Sequence, residues 1–227
     1  MLVLGVDTSW KQGSIALVRE TNGRLHTLDT QPIAGGTFSA QLIPQLAEML
    51  TRHRLSKRDL EGFAVATGPG SFTGLRIGLT AVKALAEILH KPIAAVSVLE
   101  ALAIVAGHDG AITALLDASR EEIFLGTYRV ASGRATKTEE ALLKQDELLA
   151  HIRPSKGLRL VTPDAAIEKL LSQNGVPCTV LERPGSESVA RIGLDKIARG
   201  ETVSVEELDA NYIRRSDAEI FSLPKLR

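Results

Sequence analysis

The first thirty residues alternate short apolar runs with turn residues. Apolar side chains dominate residues 2–6 and 14–18, and Leu25 and Leu28 begin and end a third short segment. Asn22 and Gly23 separate the last two runs, and an Asn-Gly pair is a strong signal for a two-residue hairpin turn. The pattern therefore predicts three consecutive strands at the start of the chain, the first two of them antiparallel.

The pattern then changes to a helical period. Apolar residues recur at three- and four-residue steps from about residue 40 to residue 50, which predicts a first long helix. A buried-strand pattern at residues 62–67 leads into a glycine-rich run at residues 68–78. A second helix is predicted over residues 72–89, followed by a strand over residues 93–96.

The middle of the chain carries a helix start signal, and the same kinds of element follow it. Ser97 and Glu100 have the spacing of a capping box, which begins a helix that should end near residue 107. Thr162 and Pro163 resemble an N-cap followed by a first-turn proline. In the second half, strands are predicted over residues 112–116, 122–129, 158–161 and 179–181, and helices over residues 145–151, 163–174 and 186–199.

Both halves thus begin with strands and continue with alternating helices and strands. This order predicts two related α/β subdomains that meet near residue 100. We assign residues 1–100 to an N-terminal subdomain and residues 101–215 to a C-terminal subdomain. Residues 216–227 have weak periodicity and are expected to form a flexible tail.

The helix that follows the glycine-rich run is apolar over more of its circumference than one sheet requires. A helix resting on a sheet needs an apolar stripe of about 100° or somewhat more, and here the apolar arc is about twice as wide. We expect one face to pack on its own sheet and the other to meet the second subdomain or another chain. The predicted interface residues are Leu75, Arg76, Leu79, Val82, Lys83 and Ala86.

The glycine-rich run itself does not match a phosphate-binding loop. A Walker A loop has a lysine after its last glycine, and here Leu75 follows Gly74. A tight turn with close packing of the helix on the sheet is the favoured interpretation.

Composition narrows the function classes. Lysine and arginine together number 27, as do aspartate and glutamate, so the chain lacks the basic excess of a stand-alone nucleic-acid binder. The single cysteine, Cys178, cannot form an internal disulfide or a multi-cysteine zinc site. The N-terminus does not resemble a signal peptide, and the apolar stretch at residues 93–106 is too short to span a bilayer. A cytoplasmic location without membrane contact is expected.

A set of short segments, residues 5–9, 68–78, 97–103, 117–120, 122–124 and 212–214, occurs along the chain. In these segments the chain resembles the TsaB (YeaZ) family of the bacterial tRNA threonylcarbamoyladenosine machinery. The chain departs from the family at Phe38-Ser39, where the family often has a His-Ser pair, so no role that needs imidazole is expected there.

This resemblance implies an α/β fold of the actin/Hsp70-like (ASKHA) type, with two related subdomains that each hold a mixed sheet flanked by helices. It also implies a non-catalytic, activating subunit that forms a heterodimer with TsaD, the subunit that transfers threonylcarbamoyl to N6 of a tRNA adenosine beside the anticodon. TsaE, an ATPase, would be a further partner and the tRNA an indirect one. When alone, such a chain could form a homodimer.

Little in the sequence points to catalysis. Asp7 and Thr8 are the candidates for a vestigial cofactor contact, although a turn at a strand end is the favoured interpretation. The corresponding loop in the second half has Ser119 where an ATP-using member of the fold would have glycine, and the Cβ of this serine obstructs close approach of a phosphate. A degenerate nucleotide site therefore remains open, with no tightly bound cofactor and no catalytic residue expected.

Histidine spacing argues against a metal centre. A metalloprotease motif needs histidines four residues apart, whereas the nearest pair here, His90 and His108, is eighteen residues apart. No metal is expected. The main alternative to the scaffold hypothesis is a small ATP-dependent phosphotransferase of the same fold class, and a peptidase is a third hypothesis.

Overall fold

The computed structural model describes residues 1–152, 159–211 and 213. The tail predicted over residues 216–227 lies outside these ranges. Within them the chain forms two five-stranded sheets and six α-helices. None of the helices in the described part is both long and apolar enough to cross a membrane.

The first half contains a mixed sheet with strand order β3-β2-β1-β4-β5. Its elements are β1 (Leu2–Asp7), β2 (Gln12–Thr21), β3 (Arg24–Ala34), α1 (Phe38–Arg52), β4 (Gly62–Gly68), α2 (Phe72–Leu89), β5 (Ile93–Ser97) and α3 (Val98–Val105). Strands β1 and β2 are antiparallel, as predicted, whereas β1 and β4 are parallel. Asn22 and Gly23 form the predicted β2–β3 turn with φ angles of 52° and 76°, and a type I′ hairpin needs such positive values.

The second half repeats this topology. Its elements are β6 (Gly110–Asp117), β7 (Glu122–Ala131), β8 (Arg134–Lys144), α4 (Gln145–Ile152), β9 (Arg159–Thr162), α5 (Ala165–Gln173), β10 (Thr179–Val180) and α6 (Ser186–Ala198). The strand order β10-β9-β6-β7-β8 is the order of the first sheet with each strand replaced by its counterpart. The expectation of two related units, each with a mixed sheet flanked by helices, is confirmed.

The last helix of each half packs on the sheet of the other half. Helix α3 contacts β6, β7 and β8, while α6 contacts β1, β2, β4 and β5. The boundary assigned near residue 100 falls inside α3. As a result the two sheets enclose α3 and α6 between them, with α1 and α2 outside the first sheet and α4 and α5 outside the second.

Strand β1 shows how the sequence specifies this layering. Leu4 and Val6 belong to the core shared with α1 and α2, whereas Val3 belongs to the core shared with α6. Gly5 faces α6 as well, and a side chain there would collide with the carbonyl oxygen of Ser186. Because both faces of the strand are covered, its residues form the near-continuous apolar run seen in the sequence.

Candidate functional site and family

Two matching loops lie at the carboxyl ends of β1 and β6. In the first loop the Asp7 carboxylate Oδ1 accepts the backbone N–H of Ser9 at 2.8 Å. In the second the Asp117 carboxylate Oδ1 accepts the backbone N–H of Ser119, also at 2.8 Å. Each aspartate therefore closes its own turn, and a backbone N–H that could have faced a ligand is already bonded in both loops.

Between the two subdomains lies a cleft of about 1440 Å³. Most of its lining residues come from the loop after β1, the connection between β3 and α1, the start of α2, the loop after β6 and the segment that follows α6. Trp10, Lys11 and Arg120 are among them, whereas neither Asp7 nor Thr8 belongs to its described lining. A ligand in the cleft would thus meet the indole and the basic side chains rather than the end of β1.

Thr8 is occupied by the packing of α2. Its hydroxyl donates a hydrogen bond to the carbonyl oxygen of Gly74 at 2.7 Å, and its side chain is buried. Gly74 and Gly78 allow this approach, because a Cβ at either position would collide with Thr8. The hydroxyl of Thr8 is therefore engaged within the protein, and its vestigial cofactor contact stays a prediction. Gly78 thus makes room for the side chain of Thr8 at the end of β1.

Asp7 is buried as well, with 4% of its surface exposed. Burial raises the pKa of its carboxyl group, while hydrogen bonds from Ser9 and the charge of Arg183 oppose that rise. Arg183 precedes α6, and its guanidinium carbon lies 4.4 Å from the centre of the Trp10 ring. The positive charge that acts on Asp7 thus comes from the other half of the chain.

Most of the predicted interface on α2 lies inside the first subdomain. Leu75, Leu79, Val82 and Ala86 are at most 5% exposed and belong to the core formed with the first sheet and α1. Only Arg76 is exposed, and Lys83 is half-buried. Burial of these four side chains in the first core counts against their direct contact with a partner, and the interface on α2 stays a prediction.

The second apolar sector of α2 does reach the surface. Ile88 is 68% exposed, and Ala84, one turn before it, is also exposed. The neighbouring helix α1 shows Ile43 at 47% exposure. We refer to Ile43, Ala84 and Ile88 as the α1–α2 outer face. The sequence predicted that α2 has two apolar faces but did not indicate which of them packs on the sheet.

The described residues contain no group of three or more histidine, cysteine, aspartate or glutamate side chains arranged to hold a metal ion. Cys178 lies just before β10, and burial raises the pKa of its thiol to about 11. Neither observation points to a metal or nucleophile site in this part of the chain.

Comparison with known proteins assigns the family. The family model described as TsaD, tRNA N6-adenosine threonylcarbamoyltransferase, matches residues 32–210. Over 96% of both chains, the sequence is 31% identical to the tRNA threonylcarbamoyladenosine biosynthesis protein TsaB of Bacillus subtilis strain 168. The chain belongs to the TsaB family. The match to the TsaD family model shows that the two families are related. The resemblance inferred from the motifs is confirmed.

Structural comparison agrees with this assignment. The solved structure of YeaZ from Pseudomonas aeruginosa superposes with a TM-score of 0.74 and 25% identity, covering 92% of this chain and all of that one. The expected actin/Hsp70-like fold is confirmed. By contrast, the tRNA N6-adenosine threonylcarbamoyltransferase of Legionella pneumophila strain Lens is 33% identical over 44% of this chain and 34% of its own length.

Sequence reasoning missed Arg183. It lies in a short loop next to Pro184 and Gly185, a composition that predicts a turn and nothing more. Trp10 gave a weak signal as the single tryptophan beside the first aspartate loop. Trp10 and Arg183 come into contact only when the two halves of the chain pack together. A local sequence pattern cannot predict such a contact.

Proposed function

We propose that the chain is a non-catalytic subunit that binds TsaD and supports transfer of threonylcarbamoyl to N6 of the tRNA adenosine beside the anticodon. In this proposal TsaE is a further member of the assembly. The tRNA is held mainly by the partner, since a chain with no net charge has no general excess of cations for phosphates. Membership of the TsaB family is the observation that carries the proposal.

The state of the two aspartate loops supports a non-catalytic role. Ser9 and Ser119 each use their backbone N–H within their own loop. Asp7 is buried and does not line the cleft, so its carboxylate offers little to a metal there. These features count against the alternative of an ATP-dependent phosphotransferase.

The α1–α2 outer face is the surface we propose for TsaD. Large exposed apolar side chains on adjacent helices are unfavourable in water and typically mark contacts between proteins. Ile88 and Ile43 are two of the five large apolar side chains that are exposed in the described part of the chain. Since α1 and α2 pack against each other on the outside of the first sheet, both residues lie on the same side of that sheet.

The test introduces a charge at Ile88, the most exposed large apolar residue of this face. Ile88→Glu should weaken binding to purified TsaD at least tenfold, because a carboxylate would be buried without a partner charge. Val180→Glu is the matched control, since Val180 is 52% exposed but lies on β10 of the second sheet. It should bind TsaD as the unmodified chain does. Light scattering would report whether the species is a monomer, a homodimer or a TsaD heterodimer.

Two results would contradict the proposal. Equal binding by Ile88→Glu and the unmodified chain would remove the outer face as the interface. The phosphotransferase would be favoured if the unmodified chain failed to bind TsaD and the isolated chain turned over ATP in the presence of Mg²⁺.

A further inference from the structure

The cleft between the subdomains has a positive charge that the chain as a whole lacks. Its described lining includes three basic side chains, Lys11, Arg76 and Arg120, and a single acidic one, Asp117. The Asp117 carboxylate already accepts the backbone N–H of Ser119. A chain with equal numbers of acidic and basic residues thus collects positive charge in this cleft.

Aromatic rings lie beside the basic groups. The guanidinium carbon of Arg76 is 3.7 Å from the centre of the Phe72 ring, and Nζ of Lys11 is 5.7 Å from the centre of the Trp10 ring. Both distances are within the range of cation–π contacts, and all four residues line the cleft. A ligand that suits these walls carries anionic groups next to apolar ones.

The loop that carries Arg120 has an unfavourable backbone conformation. Ser119, Arg120 and Glu121 have φ angles of 62°, 55° and 63°, in the left-handed region that residues with a Cβ disfavour. The N–H of Ala118 donates to the carbonyl oxygen of Glu122 at 3.0 Å, which helps to maintain the turn. Strain of this kind is concentrated at functional sites, and here it belongs to a loop in the lining of the cleft.

The size of the cleft favours a peptide over a small molecule. Its volume of about 1440 Å³ exceeds the roughly 300–1,000 Å³ of typical small-molecule pockets. The two aspartate loops also use their own serine N–H groups, which makes the cleft a poor match for phosphates.

The chain itself leads into this cleft. Asn211 and Ile213 belong to its lining. Asn211 is fixed between the two sheets, since its backbone N–H donates to the carbonyl oxygen of Thr67 at 2.7 Å and its Nδ2 donates to Glu140 Oε2 at 2.9 Å. Residue 217 is four residues beyond Ile213, which corresponds to at most about 14 Å of extended chain. The following segment is therefore tethered at the cleft.

We infer that the tail, residues 216–227, occupies the cleft of its own chain. Asp217 and Glu219 are the only acidic residues of the tail, and in an extended peptide they point to the same side. Ile220 and Phe221 follow them directly. This acidic and apolar sequence complements the basic and aromatic walls of the cleft. A short tether gives an effective concentration in the millimolar range, so weak contacts are sufficient.

This inference goes beyond the proposed function, because it holds whichever protein covers the α1–α2 outer face. Its test uses the full-length chain alone, so its failure is distinguishable from a failure to bind TsaD.

The test uses Trp10, the single tryptophan of the chain, as a fluorescent reporter in the cleft. A nitroxide, which quenches tryptophan fluorescence at short range, is attached to Ser222→Cys in a Cys178→Ala background. It should quench Trp10 by about half relative to the same sample after ascorbate has reduced the nitroxide. The matched control carries the label at Ser172→Cys, an exposed position of α5, and should show almost no quenching.

Charge variants test whether the cleft recognises the acidic residues of the tail. Asp217→Asn/Glu219→Gln and, separately, Arg120→Glu should each reduce the quenching at least about twofold. Arg129→Glu, at an exposed position of β7, is the control and should leave the quenching unchanged. If circular dichroism shows that Arg120→Glu does not fold, the tail variant decides alone.

Three results would overturn the inference. One is the absence of quenching by the label at position 222. Another is equal quenching in Asp217→Asn/Glu219→Gln and in the chain with its native tail charges. The third is quenching that rises with protein concentration, since it would assign the cleft to the tail of a second copy.

Discussion

Lys196 of α6 forms an ion pair with Glu100 of α3, with 2.7 Å between Nζ and Oε2. Both side chains are mostly buried, at 16% and 12% exposure. The ammonium group also donates a hydrogen bond to the carbonyl oxygen of Ala95 at 3.0 Å. The pair therefore joins the two helices that each half of the chain places on the sheet of the other.

Replacing Lys196 by methionine should destabilise the protein. The change leaves the Glu100 carboxylate buried without its cation, a situation that typically costs about 3–5 kcal/mol. The free energy of unfolding, measured with urea, should fall by about 3 kcal/mol, and the double variant Lys196→Met/Glu100→Gln should recover part of the loss.

The control for this variant is an exposed ion pair. Arg134 and Asp195 are 3.0 Å apart, with 57% and 38% of their side chains exposed, so Arg134→Met should change stability by less than about 1 kcal/mol. Equal losses in Lys196→Met and Arg134→Met would show that burial of the first pair is unimportant.

Gly74→Ala should also destabilise, against the ordinary preference for alanine in a helix. Inside a helix this change usually gains about 1 kcal/mol. Here the new Cβ would collide with the backbone carbonyl of Thr8, and such overpacking typically costs about 1–3 kcal/mol. Thr80→Ala, at an exposed position of α2, is the control and should have a near-neutral effect. A Gly74→Ala variant more stable than the unmodified chain would disprove the close approach.

A second contact between the subdomains centres on Glu140 of β8. Its carboxylate accepts hydrogen bonds from the Tyr128 hydroxyl, from Asn211 Nδ2 at 2.9 Å and from Ser97 Oγ at 3.1 Å. Asn211 also donates its backbone N–H to the carbonyl oxygen of Thr67, at 2.7 Å. Glu140 thus connects the second sheet to the ends of β4 and β5 in the first.

This network should make stability depend on pH in the acidic range. Burial by itself raises the pKa of Glu140, but the hydrogen bonds from Tyr128 and Asn211 and the charge of Lys137 bring that pKa below its ordinary value. A lowered pKa in the folded state gives stability that is present at neutral pH and is lost as the pH falls through the folded pKa.

The unmodified chain should therefore lose stability from about pH 5 downward. Glu140→Gln should show a shallower decline in its free energy of unfolding over the same interval. Parallel pH profiles of the two proteins would show that the carboxylate of Glu140 does not titrate as the network requires.

The sequence was most informative where a pattern is local. Helix α2 begins and ends where the apolar period predicted, at Phe72 and Leu89. The capping box of α3 is present, with Ser97 and Glu100 each bonded to the backbone of the other. Both features depend on residues within a few positions of one another, so contacts with distant parts of the chain do not easily override them.

Strand β8, residues Arg134–Lys144, escaped prediction for a physical reason. Lysine, glutamate and alanine are depleted in strands, and this edge strand is exposed or half-buried along its length, so its sequence shows no apolar alternation. What defines the strand is its antiparallel pairing with β7. The predicted start of α5 was wrong because pairing with β10 keeps Thr162 in β9. The helix begins later, at Ala165, after Asp164.

The candidate site was the least predictable part. The sequence showed that α2 is apolar on two sides, but packing against β1, β4 and α1 decides that Leu79 faces inward and Ile88 outward. Likewise, the contact of Trp10 with Arg183 spans most of the chain. Such relationships exist only after the two halves have assembled.

The exchange of α3 and α6 between the two sheets has a consequence for synthesis. A ribosome makes the whole first sheet before it reaches residue 186, where α6 begins. Until that helix emerges, the inner face of the first sheet, with Val3 and Ala64, has no α6 to cover it. The nascent first half cannot finish folding as an independent unit, as N-terminal domains usually do, and it presents an apolar surface to chaperones until the chain is almost complete.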